Sequence, residues 1–209
     1  MENKFESIDN LESSIRKTSV IKERIGLVAT HMYKQYLEYE ESVMNTKEIF
    51  LRVMENTHTT IEDLKMSFSS RGIMTKNIHY EMEQAKSTIV LTILWHTISL
   101  VLVNNEKPQA LYRETEAPFF AGRIMALNGN YAHIMREHAG NEMQGLLEHE
   151  VASLFVPAEK GTPTVMKIKH LGSRELYLSH IDAPKEFLLK VIEIICGGGL
   201  YHEENQKKG

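Results

Sequence analysis

Apolar residues recur every three or four positions through the first fifty-odd residues, with charged residues between them. This spacing places the apolar side chains on one face of a helix. The pattern allows one long helix or two helices meeting in a shallow bend, because Asn45 and Glu48 have the spacing of a capping pair. A separate helix is predicted to begin at Thr59, and Arg71-Gly72 to close it. A stripe this long needs a partner helix, from the same chain or another.

The most apolar run of the chain extends from Thr88 to Val103. As a helix it would be about 24 Å long, which is short of the roughly 30 Å of a membrane core. His96 would also lie in hydrocarbon, so no membrane span is predicted. Upstream, "NIHYEMEQAKS" has a helical composition, so one buried central helix is predicted from about Lys76 to Val103. The β-branched residues of the run leave a strand as the rival for part of it.

Two short helices are predicted after the central one. "TEAPFFAGRIMALNGN" reads as a helix ended by Asn128-Gly129, and "YAHIMREHAG" as a second ended by Gly140.

The pattern changes near Glu150. "VASLFVP", "TVMKIKHL" and "RELYLSHI" are short apolar or alternating segments separated by turn residues, which predicts three strands. "DAPKEFLLKVIEIICGGG" predicts a helix with Asp182 as its N-cap and Gly197 at its end.

These elements predict an α+β fold. Residues 1–149 form an N-terminal helical bundle with a central buried helix. Residues 150–200 form a small antiparallel three-stranded sheet packed by a C-terminal helix, and both regions pack as one unit. Residues 201–209 form a loose tail.

Composition narrows the function classes. The chain has 209 residues, 42% of them hydrophobic, and a net charge of −4. It lacks the basic excess of a general nucleic-acid-binding surface, so no nucleic-acid partner is predicted. A single cysteine, Cys196, excludes an internal disulfide and fits a reducing compartment. The first residues lack the layout of a signal peptide, so a cytoplasmic location is expected.

Histidines and glutamates are concentrated between residues 133 and 150. His133 with Glu137, and His138 with Glu142, have the i, i+4 spacing that can chelate a metal on a helix. His149 and Glu150 follow. The paired motifs of zinc and di-iron enzymes are missing, which favours a solvated polar face. No catalytic residue, metal ligand or cofactor is therefore assigned, and a small metal-dependent enzyme is the alternative.

A helical DNA-binding regulator is the other alternative. "SSRGIMTKNIHYEMEQ" resembles a helix-turn-helix and carries Arg71, Lys76 and Asn77. Glu81 and Glu83 follow and would repel phosphates.

The favoured function is a non-enzymatic adaptor or chaperone-like subunit that binds other proteins. The 11 methionines suit either a core or an adaptable binding surface. The two candidate surfaces are the N-terminal stripe and the edge of the three-stranded sheet. The predicted partner-binding residues are Ile25, Met32, Tyr36, Tyr39, Val43, Val165 and Ile168.

The segment from Leu154 to Gly199, with short strands, an acidic turn and "APKEFLLKVIEIICGGG", resembles the C-terminal pattern of the LvgA-like acidic adaptors of the Dot/Icm type IVB secretion system. The resemblance covers the last third of the chain and includes no diagnostic motif. It implies an adaptor, linked to virulence, that presents effector proteins to a coupling complex at the inner membrane. It implies no catalytic residues.

Overall fold

The computed structural model describes residues 5–83, 87–106, 120–169 and 174–197. Within these residues the chain forms four helices and seven strands: α1 (Phe5–Ser69), β1 (Ile78–Glu83), β2 (Thr88–Ile93), β3 (His96–Glu106), β4 (Ala121–Asn128), α2 (Tyr131–Glu137), α3 (Glu142–His149), β5 (Glu150–Pro157), β6 (Thr164–Ile168), β7 (Arg174–Leu178) and α4 (Ala183–Cys196). The predicted tail, residues 201–209, lies outside the described residues.

The sheet is the main correction to the predicted fold. It has seven strands rather than three, arranged in chain order from β1 to β7, and each neighbouring pair is antiparallel. The three strands expected after Glu150 do form, but they are only the last three of the seven. The sheet continues across residue 150, because β4 pairs with β5 and Ile124 lies opposite Leu154.

The predicted central helix is wrong. The described residues between 78 and 103 contain β1, β2 and most of β3 instead. Ile93 lies opposite His96, so only Leu94 and Trp95 connect β2 to β3. Leu94 has a φ of +59°, a left-handed conformation that is uncommon for a residue other than glycine. The turn therefore lacks the Gly or Asn that marks most two-residue hairpins.

The helix predicted from "TEAPFFAGRIMALNGN" is also wrong. Its second half is β4, whose first seven residues are all buried. A strand buried on both faces shows a continuous apolar run instead of alternation, which is why its period is ambiguous in the sequence. Residues 115–119 lie outside the described residues.

The N-terminal region is one continuous helix of 65 residues, roughly 98 Å long. Asn45, the suspected cap, is inside this helix. Its side-chain amide donates hydrogen bonds to the carbonyl oxygens of Pro157 and Ala158, at the end of β5. Thr59, where a separate helix was expected to begin, is also inside α1. Gly72, with a φ of +72°, follows its end, as the sequence indicates.

One face of the sheet packs against α1 and α4. Their apolar side chains share a core with inward-facing residues of all seven strands. Its largest fully buried side chains include Phe187, Ile49, Ile61, Ile89, Leu91 and Ile124. Burying one such side chain stabilises the fold by about 1.5–3 kcal/mol, so this face carries most of the hydrophobic stabilisation.

The opposite face contains a buried ion pair. Arg123 Nη2 lies 2.6 Å from Glu150 Oε1, and both side chains are about nine-tenths buried. Arg123 Nε donates to Ser153 Oγ at 2.9 Å, and the guanidinium carbon lies 5.3 Å from the centre of the Phe155 ring. Helices α2 and α3 cover the neighbouring part of this face through Ile134 and Leu146.

Helix α1 and strand β4 are in close contact at Gly122. A Cβ atom added there would lie 1.6 Å from Thr46 Oγ1. We expect Gly122→Ala to lower the free energy of unfolding by about 3 kcal/mol, because neither backbone can move without disturbing the core. Urea denaturation measures the change. Gly161→Ala is the control, since its nearest neighbour would be 4.0 Å away. Equal stability of both variants would contradict the close contact.

The buried ion pair gives a second prediction. Glu150→Gln leaves the Arg123 charge buried beside a neutral group and should cost on the order of 3 kcal/mol in unfolding free energy. The same substitution at Glu62, which forms an exposed pair with Lys65, should change the urea midpoint little. Replacing Arg123 by Met together with Glu150 by Leu should recover most of the loss. A Glu150→Gln variant as stable as Glu62→Gln would show that the pair is not needed.

Candidate functional site

The part of α1 that extends beyond the sheet carries half of the large hydrophobic residues that are exposed among the described side chains. From residue 19 to residue 41 every side chain is exposed except those of Gln35 and Glu38, which are partly buried. Ile25 and Met32 are each 62% exposed, and Tyr36 is 54% exposed. We call residues 19–41 the arm. Isolated exposed apolar residues are common, but a continuous apolar surface indicates a binding site.

Six of the ten large apolar residues exposed on the arm lie on the helix face that is buried further along. At 3.6 residues per turn, Ile25 and Met32 share an angular position with Phe50 and Ile61. Phe50 and Ile61 are 4% and 0% exposed, because they pack against the sheet. The arm therefore continues a core-forming face without a sheet to cover it. We call this face the arm stripe, formed by Ile21, Ile25, Val28, Met32, Tyr36 and Tyr39.

The arm joins the body of the protein at Glu38 and Tyr39. Glu38 Oε1 accepts a hydrogen bond from the backbone N–H of Phe120 at 3.2 Å. The Tyr39 ring packs edge-on against the Phe120 ring at 5.6 Å between centroids. Both contacts fix the direction in which the arm leaves the sheet.

The Tyr36 side chain is held along the arm by a hydrogen bond within α1. Its hydroxyl donates to Glu40 Oε1, four residues later, at 2.5 Å. This hydrogen bond to a carboxylate raises the pKa of the Tyr36 phenol. The phenol therefore stays neutral at physiological pH and presents an amphipathic ring to a partner.

The predicted partner-binding residues fall into two groups. Ile25, Met32, Tyr36 and Tyr39 lie on the arm stripe, and Val43 is half-buried where the arm joins the body. Val165 and Ile168 are completely buried in β6. Strand β6 pairs with β5 on one side and β7 on the other, so these residues do not form a sheet edge. They belong to the core.

The histidines between residues 133 and 150 contact glutamates in separate His–Glu pairs. His133 Nε2 lies 3.2 Å from Glu137 Oε1 on the exposed face of α2. Gly140, with a φ of +88°, separates α2 from α3, so His138 pairs with Glu148 at 3.3 Å rather than with Glu142. Among the described residues, no group of three or more His, Cys, Asp or Glu side chains could hold a metal ion.

The predicted helix-turn-helix is not formed. The residues after Arg71 lead directly into β1, so Glu81 and Glu83 are strand residues and no recognition helix is present there. Arg71 itself bonds back to the carbonyl oxygen of Ser67 at 2.9 Å.

Cys196 lies half-buried near the end of α4. Burial raises the pKa of its thiol to about 11. The thiolate is scarce at neutral pH, which makes this residue a poor nucleophile.

Two exposed apolar features were missed in the sequence. A groove of about 270 Å³ lies beside α1, beyond the base of the arm, and is lined by Lys47, Phe50, Leu51, Met54, Ser87, Thr88 and Leu102. Trp95, 80% exposed, occupies the β2–β3 turn. Both depend on β2 and β3, which the sequence pattern had assigned to a helix. Leu51 could have been identified from the sequence. It is an apolar residue on a helix face next to the apolar stripe, and a residue outside the stripe is expected to be exposed.

No helix in the described ranges has the length and apolar character needed to span a membrane. Comparison with protein-family profiles, with curated proteins and with solved structures gives no match for this chain.

Proposed function

We propose that the protein is a non-enzymatic adaptor that binds another polypeptide chain through the arm stripe, in the cytoplasm. The observation that carries the proposal is the exposure of a core-forming helix face along the arm, where Ile25 and Met32 are each 62% exposed. Leaving such a face in water has a free-energy cost that a helix from another chain would remove. Tyrosine and methionine are also frequent at protein interfaces.

The mode of binding follows from the stripe's spacing. Apolar residues at steps of three and four accept a second helix side by side, as in a coiled coil. The resemblance to type IVB secretion adaptors supplies a specific version of the proposal, in which the bound chain is a secretion effector protein. The experiment below identifies the bound chain without assuming that version.

Site-specific photo-cross-linking tests the proposal. A benzophenone amino acid at Met32 faces the expected partner, whereas one at Lys34 lies on the opposite side of the helix. We expect an adduct of defined mass from position 32 in the native cell and little from position 34. Mass spectrometry identifies the cross-linked chain.

Two matched variants add an energetic test. Ile25→Glu places a charge in the stripe and should reduce the adduct from position 32 at least tenfold, which corresponds to about 1.4 kcal/mol. Leu27→Glu alters an equally exposed apolar residue on the other side of the helix and should leave the adduct unchanged. Circular dichroism checks that both variants keep their helix. Equal adducts from positions 32 and 34, or none from either, would refute the proposal.

A further inference from the structure

The β2–β3 turn and the loop between α1 and β1 lie side by side at one end of the sheet. The Leu94 N–H donates to the carbonyl oxygen of Asn77 at 2.9 Å, and the Ile78 N–H donates to that of Thr75 at 3.0 Å. These hydrogen bonds hold the loop beside the turn. We call the exposed apolar and basic side chains at this place the tip surface, formed by Arg71, Ile73, Met74, Lys76 and Trp95.

The conformation of the turn presents Trp95 to the solvent. Leu94 has a φ of +59° and packs its side chain against the core, whereas Trp95 is 80% exposed. The Trp95 ring contacts the His96 ring at 5.6 Å between centroids. Met74, in the neighbouring loop, is 74% exposed. A left-handed leucine is strained, and such strain is often found where a segment binds something.

Positive charge accompanies these apolar side chains. Arg71 and Lys76 are both exposed, and Arg71 bonds to the carbonyl and hydroxyl oxygens of Ser67, which are neutral. The sequence contains no Asp or Glu from residue 64 to residue 80, or from residue 87 to residue 103. The whole chain has a net charge of −4, so this end differs in sign from the rest.

The acidic residues nearest to the tip surface in sequence are Asp63 and Glu81. Asp63 lies in α1, about 9 Å before the end of the helix, and Glu81 lies inside β1. Glu62, one residue earlier, is paired with Lys65 at 2.8 Å. At roughly 0.15 M salt, charges are screened beyond about 8 Å. Arg71 and Lys76 therefore set the sign of the potential at the tip surface.

We propose that the tip surface binds the surface of a bilayer that contains anionic phospholipids. Tryptophan is enriched at the membrane–water interface because its ring is amphipathic. Lysine and arginine beside it attract anionic headgroups. A hairpin tip projects from the sheet, and a lipid layer accepts it without a complementary pocket. This inference goes beyond the proposed function and does not rest on it.

The topology places the tip surface far from the arm. Neighbouring strands are antiparallel throughout, so β1, β3 and β5 run in the same direction. The tip surface lies where β1 and β3 begin, whereas Asn45, near the base of the arm, bonds to the end of β5. About 42 Å of α1 separates residue 41 from Ser69. A molecule bound to a bilayer through the tip surface therefore keeps the arm stripe available to a protein partner.

Tryptophan fluorescence of the purified full-length chain tests the inference. Trp95 is the only tryptophan in the sequence, so its emission reports on this site alone. Vesicles of phosphatidylglycerol and phosphatidylcholine in equal parts should shift the emission to shorter wavelength. Brominated phosphatidylcholine in the same vesicles should quench it. Vesicles of phosphatidylcholine alone should bind at least tenfold more weakly, because they lack the anionic headgroups.

Charge reversal tests the role of the basic residues. Arg71→Glu with Lys76→Glu should lower the partition coefficient for the anionic vesicles at least tenfold. Lys22→Glu with Arg24→Glu is the control, because it changes the net charge equally on the arm and should leave the partition coefficient unchanged. Circular dichroism checks that both variants keep their fold.

Vesicle flotation tests the role of Trp95 itself. Trp95→Ala should reduce the fraction bound to anionic vesicles at least tenfold. Ile181→Ala is the matched control, because Ile181 is also 80% exposed. It follows β7, which runs in the same direction as β3, so it lies at the opposite end of the sheet. Its replacement should leave the bound fraction unchanged.

Three results would overturn the inference. The first is Trp95 emission that neither vesicle shifts or quenches, and capture of a protein through Trp95 without vesicle binding would then assign the surface to that protein. The second is equal partition into anionic and neutral vesicles, because the charges would have no role. The third is flotation of the chain with unquenched Trp95, which would place the lipid contact elsewhere, such as on the arm. The position-32 adduct is measured independently, so the proposed function stands or fails separately.

Discussion

The apolar face of α1 is the feature on which the rest of the structure depends. It runs along a single helix of 65 residues, but the sheet covers only the part that follows Ser42. Where the sheet is present, the face forms the core with Phe50, Val53 and Ile61. Where it is absent, the same face becomes the arm stripe. One helix thus contributes to the core of the fold and also carries half of the exposed large hydrophobic residues in the described part of the chain.

The sheet determines where the apolar face of α1 changes from buried to exposed. Asn45 bonds to the end of β5, Glu38 bonds to the backbone before β4, and Thr46 packs against Gly122. These contacts surround the base of the arm and hold α1 rigidly against the body. A rigid base matters for binding, because a surface that is ordered in advance loses less conformational entropy when a partner docks.

Parts of the fold could be predicted from the sequence because the signals were local. The helical period of α1, the N-cap region and proline of α4, and the turn residues around β5 to β7 each lie within a few positions of the element they define. The same period predicts that Ile25, Met32, Tyr36 and Tyr39 share one helix face, and their role in binding stays a prediction. The hairpin of β2 and β3 was missed because Leu94 and Trp95 carry no turn signal. Buried β4 was missed because its apolar run has no distinctive period.

The sequence by itself determined that α1 has one apolar face, since periodicity alone sets which side chains share a side of a helix. It could not determine which residues of that face remain exposed, because burial depends on contacts with strands distant in the chain. The same limit explains Val165 and Ile168, which were expected at a sheet edge but are completely buried, because β6 lies between β5 and β7. Only the tertiary structure decided that the arm extends past the sheet, because the length of α1 exceeds what seven short strands and α4 can cover.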